Sequence, residues 1–178
     1  PGRDRLCGNV EAGEARLNCA DAVAIVAVAI EADGQGLGRV RLSRIPEICA
    51  GSLLGFMREA VAPGATVDLN GWGGRIDLEA NGYKRKPGGG ADHEPVLRVQ
   101  RVAAQLEQWL QGTLHGGVCG RHLDYYLDEF AFRFNHRKDP VRGFLFNDLI
   151  RQALEMGPVP FDRLVGRGAK GAELAEAK

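Results

Sequence analysis

"AVAIVAVAI", Ala22 to Ile30, decides the fold. It is apolar at every position and rich in β-branched side chains, so as a strand it needs cover on both faces. It is about half as long as a membrane-crossing helix. It therefore reads as the central strand of a sheet with helices on either side. Just beyond it, "GRVRLSRI" (Gly38 to Ile45) alternates Val40 and Leu42 with Arg39 and Arg41, the pattern of a half-exposed strand. "DGQG" (Asp33 to Gly36) supplies the turn between the two. Upstream, "CGNVEAGEARL" is a weaker strand candidate because Gly13 interrupts it.

From Ala50 to Val61, the spacing of Leu53, Leu54, Met57 and Val61 predicts a helix, and "APG" stops it. Thr66 to Leu69 is then a short buried strand, reached through a helix and so parallel to one of the first three. A short helix over Ile76 to Asn81 is expected, with Gly82 as its stop, and Lys84 to Pro95 is expected to be a loop. Val99, Val102, Ala103, Leu106, Trp109 and Leu110 form one stripe of a long amphipathic helix. A second strong helix is expected over Arg121 to Asn135 and a third over Phe144 to Leu154. This β-β-β-α-β-α-(β)-α-α-α order is that of the ribonuclease-H-like fold, one of several α/β arrangements the pattern allows.

The totals set the class. At 178 residues the chain has room for one domain with a real core. Lysine plus arginine equal aspartate plus glutamate at 23 each, so no global field marks a nucleic-acid or membrane partner. Cys7, Cys19, Cys49 and Cys119 are scattered, with no zinc-knuckle spacing, and read as reduced, mostly buried thiols of a cytoplasmic protein. The chain opens at Pro1 without an initiator methionine, which fits a piece of something longer.

Specific motifs go further. "WLQGTLHGGVCGRHLDYYLDEFAFRFNHR" (Trp109 to Arg137) resembles the C-terminal segment of IS1595-family transposases, those with the ISXO2-like transposase domain of the DDE superfamily. "GNVEAGE" at Gly8, "SLLGFMREAVAPGATVDLNGW" at Ser52 and "LRVQRVAAQLEQWL" at Leu97 resemble further family segments in the family's order. The resemblance covers about Arg3 to Val165 and implies one ribonuclease-H-like domain over residues 1–165, with 166–178 a flexible tail. It also implies DNA transposition by two-metal cleavage and strand transfer with Mg²⁺ or Mn²⁺, insertion-element ends as partner, and a homo-oligomer.

Carried onto this chain, the family's metal-binding triad falls on Gly13, Asn70 and Gln100. A family lysine, two helical turns past the third ligand, falls on Glu107. All four positions are chemically altered, so the expectation is a transposase-derived DNA-processing domain with impaired catalysis. The competing expectations are a non-catalytic DNA-binding or oligomerising remnant, and a small-molecule module beneath the "GWGG" turn at Gly71 to Gly74. A displaced metal site from Glu11, Asp68 and Glu14 is weighed against plain surface carboxylates and is the less favoured reading. Lys84, Arg85 and Lys86, with Arg133, Arg137 and Lys138, are the DNA-phosphate candidates. Trp72 and Trp109 are expected as core anchors.

Overall fold

Alternation and apolar content lay out the sheet as anticipated. Three strands, β1 (Asn9–Asn18), β2 (Val23–Asp33) and β3 (Gly36–Ile45), run consecutively and antiparallel. The helix α1 (Ala50–Ala60) leads to β4 (Thr66–Asp68), which lies parallel to β1, and β5 (Lys84–Arg85) pairs parallel to β4. The order across the sheet is β3-β2-β1-β4-β5. Helices α2 (Leu97–Leu114) and α3 (Leu123–Asn135) complete the described elements. The computed structural model describes residues 4–19, 22–34, 36–69, 76–86, 97–114 and 122–138, and beyond them 146–147, 149–151, 153–154 and 158.

Each sheet face has its own core. Val26, Val28 and Ile30 of β2 pack with Val99, Val102 and Leu106 of α2 and with Leu127, Phe130 and Phe134 of α3. Ala27 and Ala29 of β2 face the other way, toward Leu53, Phe56 and Met57 of α1. This is why the Ala22 to Ile30 stretch is apolar throughout: large residues meet two helices on one side, and alanines admit α1 on the other. Trp109 packs against the first core with its ring 5.8 Å from Phe130, as an anchor. The Cys49 Sγ accepts from the Ser52 N–H at 3.3 Å and caps α1. Cys49 and Cys19 are only partly buried and Cys7 is exposed, so the expectation of buried thiols is corrected for these three.

Gly13 does not interrupt β1; its register with β2 runs unbroken from Val10 to Asn18. Residues 76–82 form a turn where a helix was expected. Asp77 Oδ1 accepts from the Ala80 N–H at 3.1 Å and Asn81 Nδ2 donates to the Asp77 carbonyl at 2.8 Å, so side chains satisfy the backbone locally. Gly82, at φ 82°, then reverses the chain. Lys84 and Arg85, expected in a loop, instead form β5: Lys84 N donates to the Ala65 carbonyl at 2.9 Å.

Part of one edge of the sheet is bonded by side chains. Asn135, at the end of α3, accepts from the Val40 N–H at 2.7 Å and donates to the Val40 carbonyl at 3.1 Å. A single amide thus bonds to β3 as a further strand would. Asn135→Ala should cost about 2 kcal/mol by leaving both Val40 groups unpaired. Asn135→Asp should cost a similar amount, since a carboxylate cannot donate. Urea denaturation measures both, and a loss below about 0.5 kcal/mol would mean water replaces the amide freely.

Residues Arg3–Lys138 form one compact unit, and Pro1–Gly2 with Asp139–Lys178 form a second. Within the second, Phe146, Leu149, Ile150 and Leu154 are helical and exposed, inside the helix expected there. Residues 166–178 lie outside the described residues.

Candidate functional site

Strand alternation assigns the faces around the centre of β1. Val10 and Ala12 point into the α1 core, whereas Ala15 and Leu17 point into the α2 and α3 core. Glu11 and Gly13 share the second face with Ala15, and Glu14 lies on the first. Gly13 is buried and meets α2 directly: a Cβ there would lie 3.2 Å from Val99 Cγ1. Gln100, the next residue of α2, is exposed, and Glu107 further along is half-buried. The structure therefore brings position 13 against the first turn of α2. Asn70 lies outside the described residues, as do Gly71 to Arg75 and with them Trp72.

Two buried carboxylates lie side by side here. β1 and β4 are in parallel register with Glu11 opposite Asp68, which puts both side chains on the α2 face. Glu11 is 7% exposed and Asp68 6%. Each has a side-chain cation. Arg98, in the first turn of α2, pairs through Nη1 with Glu11 Oε1, and Lys86 Nζ lies 2.9 Å from Asp68 Oδ2. Arg98 also donates to the Gly36 carbonyl at 3.1 Å and the Gly34 carbonyl at 2.8 Å, tying the helix start to the β2–β3 turn. Glu11 Oε2 is buried with no hydrogen-bond partner among the described residues.

Glu14 does not join this pair, because it lies an odd number of residues from Glu11 and so on the opposite face. The grouping of Glu11, Asp68 and Glu14 is corrected on that ground. Burial raises the Glu14 pKa, against lowering by a backbone hydrogen bond and by Arg16. Among the described residues, no group of three or more His, Cys, Asp or Glu side chains is placed to hold a metal ion.

The basic candidates differ in how they are held. Arg137 donates to the carbonyls of Leu37, Gly38 and Phe134 and stacks over the Phe134 ring at 3.8 Å. Burial lowers its pKa, with Asp33 acting in the opposite direction. Lys138 pairs with Asp33 at 2.7 Å and Arg133 with Glu129 at 2.8 Å, both on the surface. Lys84 and Arg85 are exposed on β5, Arg85 also donating to the Ile76 carbonyl at 3.0 Å. The sequence reading did not single out Arg98 or Asn135. Both lie inside quoted motifs, but their partners are far away along the chain.

A mixed sheet of this order, with a helix on one face and the start of another against the centre of β1, is the ribonuclease-H-like architecture. The chain belongs to the ISXO2-like transposase domain family, whose match spans residues 8–135. Among solved structures, it is similar to a chain in "CryoEM structure of simian T-cell lymphotropic virus intasome in complex with PP2A regulatory subunit B56 gamma". Identity there is 10% and the TM-score 0.48, over 73% of this chain and 50% of that one, so this chain spans half its length. No curated protein matches the sequence. Among the described residues, no helix is long and apolar enough to cross a membrane.

Proposed function

We propose that this transposase-family domain binds DNA in the cytoplasm as part of an oligomer but has lost two-metal strand transfer. The observation that carries the reading is the charge balance at the α2 face of β1. Gly13 supplies no ligand, Gln100 supplies a neutral one, and the carboxylates of Glu11 and Asp68 already have cationic partners. Two divalent ions held a few ångströms apart require anionic oxygens to offset their charge. These residues do not fit such a centre.

The DNA contacts are assigned to Lys84, Arg85, Arg133 and Lys138, and not to Lys86, which is held by the buried Asp68. Exposed ion pairs such as Lys138–Asp33 and Arg133–Glu129 contribute about 0–1 kcal/mol, so a phosphate displaces the carboxylate at small cost. Arg137, fixed by three carbonyls, contributes field rather than a direct contact.

The test uses the purified chain with a duplex carrying the inverted repeats that flank its coding region, beside a scrambled duplex of equal length. Binding that weakens steeply with salt, without nicking in Mg²⁺ or Mn²⁺, is the expected result. Ion-dependent nicking sinks the loss of chemistry, and absence of binding to either duplex sinks the DNA assignment.

A further inference from the structure

Glu11 and Asp68 are brought together by the parallel register of β1 and β4, not by nearness in the chain. Adjacent strands lie about 4.8 Å apart, so two carboxylates on the same face at paired positions come within reach of one ion. Their charge is balanced from outside the sheet by two different kinds of cation. Arg98 is fixed, gripping Glu11 Oε1 and two turn carbonyls at once. Lys86 is not: its side chain is 43% exposed, and among the described residues its side-chain bond goes to Asp68.

Glu11 Oε2 is the unexplained atom. The Glu11 side chain is 9% exposed, and this oxygen accepts no hydrogen bond from the described residues. A buried carboxylate oxygen without a partner costs about 1–3 kcal/mol, a cost that an incoming cation relieves. Arg98 meanwhile holds the carboxylate in orientation, as an outer partner orients a metal ligand.

We propose that Glu11 and Asp68 form a latent site for a single divalent cation, closed by the Lys86 ammonium. Mg²⁺ and Mn²⁺ suit it, being hard ions that use one or two carboxylates and fill their remaining positions with water. Lys86 supplies one charge at a fixed tether length. A divalent ion supplies two, can approach Glu11 Oε2 and Asp68 Oδ2 together, and releases Lys86 to solvent. The site lies two residues before the family positions on each strand and involves no DNA chemistry. The binding test below is therefore independent of the nicking assay, and either can fail alone.

The experiment compares Mn²⁺ binding by the full chain and by Lys86→Met, using the paramagnetic signal of free Mn²⁺. Lys86→Met should bind one Mn²⁺ at least about tenfold more tightly than the parent, and Asp68→Asn added to it should abolish the gain. Circular dichroism establishes that each variant is folded. In the parent, amine labelling followed by peptide mapping should find Lys86 more reactive when Mn²⁺ is raised, as the ion frees its ammonium. Should Lys86→Met prove unfolded, that labelling result decides alone. Equal Mn²⁺ affinity in parent and folded Lys86→Met, binding that survives Asp68→Asn, or Lys86 labelling indifferent to Mn²⁺ overturns the proposal.

Discussion

Arg98→Met should lower the stability of the protein by about 3 kcal/mol, because it removes the cationic partner of the buried Glu11 carboxylate. The methionine keeps much of the stem packing, so the loss reports charge rather than volume. It also frees the β2–β3 turn, whose Gly34 and Gly36 carbonyls lose their donor. The diagnostic variant is the double one. Arg98→Met with Glu11→Gln removes the stranded charge and should recover more than half of the loss in urea denaturation. A loss below about 1 kcal/mol for Arg98→Met, unaffected by Glu11→Gln, would show that water reaches the pair as it does at a surface.

Refilling position 13 is the second large effect. Gly13→Ala places a methyl 3.2 Å from Val99 Cγ1, so α2 must give by a few tenths of an ångström. Lower strand entropy cost offsets part of this, and the net change should stay within about 1 kcal/mol. Gly13→Asp adds a carboxylate on the apolar α2 side and should cost about 3 kcal/mol. The gap between the two variants isolates charge burial from steric contact. If Gly13→Asp proves as stable as Gly13→Ala, the pocket already accommodates an anion, and the case for lost metal chemistry weakens accordingly.

The sheet was readable because its strands carry distinct burial patterns: β2 apolar on both faces, β3 alternating. Two elements escaped for physical reasons. β5 has two residues, too few to show any period, and its pairing depends on Ala65 and Val67 being in place to receive it. The 76–82 segment has apolar residues at helical spacing, Ile76 and Leu78 being buried, but Asp77 and Asn81 bond their own backbone instead. At the site, family motifs pointed to positions 13 and 100; Gly13 meets Val99 of α2, whereas Gln100, the next residue, is exposed. Residue spacing could not reveal the partners. Glu11 meets Arg98 across 87 residues and Asn135 meets Val40 across 95, contacts that exist only once α2 and α3 have docked. Glu14, weighed as a further member of the displaced group, lies one step of β alternation away from the face that Glu11 shares with Asp68.

The amide of Asn135 bonds both backbone groups of Val40, and the guanidinium of Arg137 donates to the Leu37 and Gly38 carbonyls, on the β3 side of the sheet. Growth by strand addition there would first have to detach the end of α3. At the opposite margin, β5 ends the described sheet with Lys84 and Arg85, whose like charges oppose a second copy. Among the described residues, stacking of copies through sheet margins meets bonded side chains at part of β3 and like charges at β5.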